Sequence, residues 1–233
     1  MTLRHTFQKI LPAFLPLLGA FFIHSALGAA YVVPSASMEP TLEIGDEIAA
    51  IIPSYGWGTA SLPFATRISV LPHLRIFTRL PHRGDVVVFR APANLNETWV
   101  KRVIGLPGDR IALSNGHVFL NGKALPWHKK GPDQAELTTG RFVPARRYEE
   151  TLPDGTHHDI LKLTTARTLD TVPAFTVPAD ELFVMGDNRD DSADSRVPVK
   201  DGGVGLLPVW NVQGKAVTVL FSWHHLKRLL LSV

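Results

Sequence analysis

The chain has 233 residues, with 24 Lys and Arg against 21 Asp and Glu for a formal charge of +3, and it contains no cysteine. The missing thiols exclude a disulfide framework, a thiolate zinc site, an iron-sulfur cluster and a cysteine nucleophile. A hydrophobic content of 45% with 19% charged residues belongs to a folded chain of one domain, with room for a smaller lobe, and the scattered Lys and Arg form no basic stripe that would call for nucleic acid.

No Asp, Glu, Lys or Arg occurs between Lys9 and Glu39. The stretch from Ile10 to Val33 is apolar apart from His24 and Ser25, and at about 1.5 Å per residue it is long enough to cross about 30 Å of hydrocarbon. Arg4 and Lys9 precede it and no acidic residue does, so residues 1–9 are expected in the cytoplasm and everything after residue 33 across the membrane. A cleaved secretory signal, with Ala26-Leu27-Gly28 as a small-residue cleavage site, fits the same pattern.

Beyond Val33 the pattern is β, with short runs of Val, Ile and Phe bounded by Gly, Pro, Asn and Asp. Candidate strands are Asp46 to Ile52, Asp85 to Arg90, Thr98 to Ile104, Asp109 to Ser114, His117 to Leu120, Ala174 to Val177, Glu181 to Met185 and Gly214 to Phe221. Asn115-Gly116 supplies the positive φ angles of a type I′ hairpin between two of them. The aromatic-rich segment from Ser54 to Leu80, with only Arg67, Arg75 and Arg79 as charges, suits a headgroup region or a buried subdomain. Residues 126–172 are polar and irregular and are expected to form an inserted lobe outside the core, dividing a catalytic β core into residues 34–125 and 173–222. The tail, 223–233, is amphipathic and too short to span; it is expected to lie on the membrane or to form a terminal helix.

Three segments carry chemistry. In Pro34-Ser35-Ala36-Ser37-Met38-Glu39-Pro40-Thr41-Leu42, two prolines stiffen a segment bearing two hydroxyls, a suitable mount for a nucleophile and equally a Ser-rich linker. In Thr98 to Asp109, period two places Trp99, Lys101 and Val103 on one strand face, giving Lys101 apolar company. Desolvation lowers a lysine's pKa and would make a general base of it, whereas a snorkelling side chain would stay charged. In Phe183 to Arg196, a hydrophobic strand ends in a dense polar loop where Asp194 and Arg196 can pair. The run Asp187 to Asp194 lacks the Gly and terminal Glu of a calcium loop, and His157-His158 and His224-His225 have no third spaced ligand, so no metal and no cofactor are expected.

Together these segments, with Arg83-Gly84-Asp85-Val86-Val87-Val88-Phe89, resemble the type I signal peptidases, membrane-anchored bacterial serine proteases that remove signal peptides from exported proteins. The resemblance implies Ser37 as nucleophile and Lys101 as general base, with no catalytic His. It implies an oxyanion hole from the Ser35 hydroxyl and the Ser37 backbone N–H, and Ser192 as the serine that orients the lysine amine. Asp187, Arg189, Asp194 and Arg196 match positions that stabilise the site. The implied fold is mainly β, an antiparallel core with a smaller inserted lobe after one transmembrane helix at 10–33. The implied partners are the lipid bilayer and signal peptides bound as an extended strand, with alanine-like side chains first and third before the cut, and the chain is expected to be a monomer on the periplasmic side of the inner membrane. This favours the anchor over the cleaved signal. Ala36 stands where many relatives carry Gly, and Val-Pro-Val-Lys-Asp-Gly-Gly replaces the usual aromatic-Gly stretch after Arg196. A conjugation-type maturation peptidase with one dedicated substrate and a non-catalytic membrane-tethered β module are the alternative readings.

Overall fold

A computed structural model of the protein describes residues 28–61, 75–137, 140–163, 169–223 and 226–233. The part of the expected anchor over 10–27, residues 62–74 of the aromatic segment and the His224-His225 pair lie outside the described residues. Sixteen strands are formed among the described residues: β1 (Gly28–Val32), β2 (Asp46–Ile51), β3 (Trp57–Gly58), β4 (Arg75–Ile76), β5 (Val86–Ala91), β6 (Asn94–Gly105), β7 (Arg110–Ser114), β8 (His117–Leu120), β9 (Lys123–Ala124), β10 (Trp127–Glu136), β11 (Phe142–Thr151), β12 (His157–Leu163), β13 (Val172–Thr176), β14 (Glu181–Met185), β15 (Leu207–Pro208) and β16 (Val212–Ser222). Among the described residues there are short 3-10 turns and no α-helix, and no helix is long and apolar enough to cross a membrane.

The largest sheet has seven strands in the order β1-β2-β16-β5-β6-β14-β15, all antiparallel. Its centre is buried on both faces, which explains why β5 is a continuous run, Val86-Val87-Val88-Phe89, in place of an apolar-polar alternation. Val87 and Phe89 pack with Val103, Leu182 and Val184 on one side, and Val86 and Val88 with Ile48, Ala50, Ala216 and Val219 on the other. Each such side chain contributes about 1.5–3 kcal/mol over its exposed state. A second sheet, β13-β7-β8-β9, closes over Ile104, Phe183 and Met185. Its β7-β8 hairpin turns at Asn115 and Gly116, whose φ angles of 49° and 80° are those expected from the sequence.

Three expectations are corrected. The apolar segment does not continue as a span to Val33, because Gly28–Val32 is a strand whose backbone pairs with Asp46–Ile51 of β2. Residues 126–172 are not irregular: β10, β11 and β12 make a three-stranded antiparallel sheet with its own small cluster of Ala135, Ala145 and Leu161. Among the described residues of the tail, no helix forms beyond the single 3-10 turn Leu226–Arg228. It returns to β16, where the Leu230 N–H donates to the Val219 carbonyl at 2.8 Å and the Val219 N–H to the Leu231 carbonyl at 2.9 Å. Arg228 fixes this return by donating to Asp46 and Glu43 at 2.8 and 2.9 Å.

Candidate active site

Two hydrogen bonds across the end of β1, Val33 N–H to the Asp46 carbonyl at 2.8 Å and Gly45 N–H to the Val33 carbonyl at 2.9 Å, set where the chain leaves the sheet. Ser35 is extended, and the chain then coils into a 3-10 turn over Ala36–Met38. Met38 and Leu42 are fully buried beneath the main sheet and act as the roots of this turn. Ser37, anchored on both sides, presents its hydroxyl to a cleft of about 390 Å³ whose lining includes Tyr31, Val33, Ser35, Val88, Val100, Lys101 and Asp191.

Lys101 reaches the same point from β6, opposite Val87 of β5. Its Nζ donates to Ser37 Oγ at 2.7 Å and to the Val100 carbonyl at 2.9 Å, and lies 5.8 Å from the centre of the Trp99 ring. Only 4% of the residue is exposed. Burial lowers its pKa to about 8, against the opposing pull of Asp194 and Asp187. Ser35 Oγ lies 3.2 Å from Ser37 Oγ. Two hydroxyls and a lysine able to be neutral near pH 8 therefore meet in one cleft.

The loop after β14 packs behind this group. Gly186 is required there, since a Cβ would fall 2.3 Å from Ser192 Oγ and 2.4 Å from the Ser37 carbonyl oxygen. Arg102 grips Asp187 through Nε and Nη2 at 2.8 and 2.6 Å, and Arg196 grips Asp194 through Nε and Nη2 at 2.8 and 2.7 Å. Burial works to raise both carboxyls, but the two guanidinium groups outweigh it and hold them below the usual range. Arg189, wholly buried, pairs with Glu150 of β11. Ser192 is brought against Gly186 beside Ser37, yet its buried hydroxyl has no hydrogen-bond partner and does not bond the lysine amine.

All eight expected site residues thus surround one point, although Arg189 does so through the lobe. No site role attaches from sequence reasoning to Thr41, whose hydroxyl donates to Asp187 at 2.5 Å, to Asn188, or to the lobe residues Glu150 and His158. Asn188 sits inside the quoted loop motif and was findable there; Glu150 and His158 belong to no motif. Among the described residues no group of three or more His, Cys, Asp or Glu side chains is placed to hold a metal.

A sequence model of the family described as "Signal peptidase, peptidase S26" matches residues 5–223. The signal peptidase I of Rickettsia bellii is 34% identical over 209 residues, 87% of this chain and 69% of that protein. That of Rickettsia typhi is 35% identical over 198 residues, 82% of this chain and 71% of that protein. A crystal structure of a signal peptidase I from Enterococcus faecalis is similar at a TM-score of 0.35 and 26% identity, covering 59% of this chain and 97% of that one. With the family matched from residue 5 to 223 and about a third of the aligned residues identical to signal peptidases I, the chain belongs to the signal peptidase I family, serine endopeptidases of peptidase family S26.

Proposed function

We propose that this chain is a membrane-bound endopeptidase that removes N-terminal signal peptides from exported preproteins at Ala-x-Ala-like junctions, with Ser37 as nucleophile and Lys101 as general base. The observation that carries this reading is the 2.7 Å contact between Ser37 Oγ and the amine of a buried lysine. In its neutral form that amine takes the hydroxyl proton as Ser37 Oγ attacks the scissile carbonyl. The resulting ammonium then gives the proton to the departing amine, and a water activated by the same lysine releases the acyl group from Ser37. The Ser37 N–H lies in the first turn of a 3-10 segment, where donors have no intrahelical acceptor. In this reading it binds the oxyanion together with the Ser35 hydroxyl.

Ser192, Asp187, Arg189, Asp194 and Arg196 support the site. Substrate adds as an extended strand along the cleft between Tyr31 to Ser35 and Thr98 to Lys101, where the shallow apolar lining favours small side chains. Residues 34–125 and 173–222 form the catalytic core and 126–172 the lobe. The apolar N-terminal segment, preceded by Arg4 and Lys9, anchors the chain with its core outside the cytoplasmic membrane of a bacterium.

The test is cleavage of a preprotein with an Ala-x-Ala junction by the detergent-solubilised full chain and by Ser37→Ala and Lys101→Ala. Processing by the wild type alone is expected. Equal processing by all three removes the dyad; processing of one dedicated substrate only favours a maturation peptidase, and none at all a non-catalytic module.

A further inference from the structure

The inserted lobe touches the back of the catalytic turn through an unbroken set of hydrogen bonds. Leu161 of β12 forms a parallel bridge with Asn188 of the loop after β14. The Leu161 N–H donates to the Asp187 carbonyl, and the Arg189 N–H to the Leu161 carbonyl, both at 2.9 Å. Asn188, held between them, donates its backbone N–H to the Ser37 carbonyl at 3.2 Å and its Nδ2 to the Ala36 carbonyl at 3.3 Å.

Glu150 stands at the base of this assembly with no exposed surface. Its Oε1 accepts from Arg189 Nη1 at 2.9 Å and from Trp127 Nε1 at 2.8 Å, while Oε2 meets Arg189 Nη2. His158 Nε2 lies 3.3 Å from Glu150 and 4.0 Å from Asp187. Burial pushes His158 below its ordinary value, so at neutral pH it brings no charge and Arg189 depends on Glu150 for balance.

We propose that Glu150 is a positioning residue for Ser37: by fixing the Arg189 guanidinium it fixes the 187–189 segment, and with it the two hydrogen bonds through which Asn188 holds the Ala36 and Ser37 carbonyls. The inference rests on Ser37 being the nucleophile. Without the Glu150 charge, Arg189 becomes an uncompensated buried cation, and the other carboxylates that act on it are Asp187 and Asp194. Asp187 is already held by Arg102, so a guanidinium drawn to it pulls the loop out of register with β12. A displacement of about 1 Å at a nucleophile costs on the order of 10²-fold in rate.

The experiment measures kcat and KM for preprotein cleavage by the full chain, the amount of folded enzyme being fixed by thermal denaturation. Glu150→Gln is expected to lower kcat about 10- to 100-fold with KM within about twofold. Glu150→Asp keeps the charge, shortens the reach by one methylene and lowers kcat by a smaller factor. In combination with Asn188→Ala, Glu150→Gln adds little further loss, because both act on Ser37 by the same route. A merely structural Glu150 would lower the melting temperature, leave kcat per folded molecule unchanged and combine independently with Asn188→Ala; that result overturns the proposal. If Glu150→Gln fails to fold, wild-type kcat in Glu150→Asp overturns it equally. If Ser37→Ala retains activity, the nucleophile assignment has failed and the inference falls with it, a result distinct from an active, Ser37-dependent enzyme indifferent to Glu150.

Discussion

Lys101 is asked to be a base although its ammonium would ordinarily persist to pH 10.5, and burial brings that limit to about 8. The neutral fraction is then one half at pH 8, about one tenth at pH 7 and about one hundredth at pH 6. Because kcat/KM reports the free enzyme, its acid limb should fall about tenfold per pH unit with a midpoint near 8. The same burial disfavours the ammonium by roughly 3 kcal/mol, which the folded state bears in full below pH 8. Between pH 8 and 10.5 the unfolded chain holds this proton and the folded one does not, so that burden declines with rising pH and disappears above 10.5. Lys101→Met removes it together with two hydrogen bonds of about 1 kcal/mol each. The variant should therefore be inactive yet about 1–2 kcal/mol more stable at pH 7, an advantage that shrinks from pH 8 upward. Peptide cleavage from pH 5.5 to 10 and urea unfolding at pH 7 and 9.5 provide the readings. An acid limb centred near pH 10, or a Lys101→Met protein less stable than wild type at pH 7, would refute burial as the source of the neutral base.

Three further outcomes follow from groups around the dyad. Asp191 lines the cleft, with one carboxylate oxygen buried and without a hydrogen-bond partner, and its charge favours the Lys101 ammonium; in Asp191→Asn the acid limb of kcat/KM should move to lower pH, and a move to higher pH would contradict this. Arg196 opposes that ammonium, so Arg196→Met should move the limb the other way, read in the same cleavage assay. Glu39 is raised to about 7 by burial although its Oε2 accepts the Glu136 N–H at 3.0 Å. Its folded form keeps a proton that the unfolded chain loses above about 4.5, so stability falls as pH rises from 4.5 to 7. Glu39→Gln should flatten that decline in melting temperature between pH 5 and 8, and an unchanged slope would exclude Glu39 as its cause.

What was legible in the sequence is what a strand buried on one or both faces imposes. His117–Leu120 and Glu181–Met185 have the limits that their apolar runs suggest, and Asn115-Gly116 turns where its chemistry allows. The strands of the lobe were not legible because its sheet buries so little: Ala135, Ala145 and Leu161 form its cluster, and Gly131-Pro132 interrupts β10 in the manner of a loop. Its outer face is instead crossed by ion pairs, Lys130 with Glu149 and Asp159 at 3.0 and 2.9 Å and Arg147 with Asp133 at 2.7 Å, which leave no apolar period to detect. The end of the apolar N-terminal segment was misplaced for the opposite reason. Gly-Ala-Ala-Tyr-Val serves a helix in lipid and an edge strand equally well, and the partner in β2 decides between them.

The charge-rich loop after β14 also has a reason that its composition conceals. A lysine can be neutral near pH 8 only where the surrounding field is weak, yet Asp187 and Asp194 are wholly interior and both favour its ammonium. Left unpaired, they would restore much of what burial takes away. Arg102 on Asp187 and Arg196 on Asp194 turn each carboxylate into a compact dipole, and Glu150 does the same for Arg189 from the lobe. Three buried arginine-carboxylate pairs contribute little net stability, because desolvation consumes most of their attraction. Their value lies in fixing the turn that carries Ser37 while leaving desolvation as the dominant influence on Lys101. On the proposed reading, Ser37, Lys101 and their charged scaffold are therefore one device, in which the pairs supply rigidity without supplying the field that would keep Lys101 protonated.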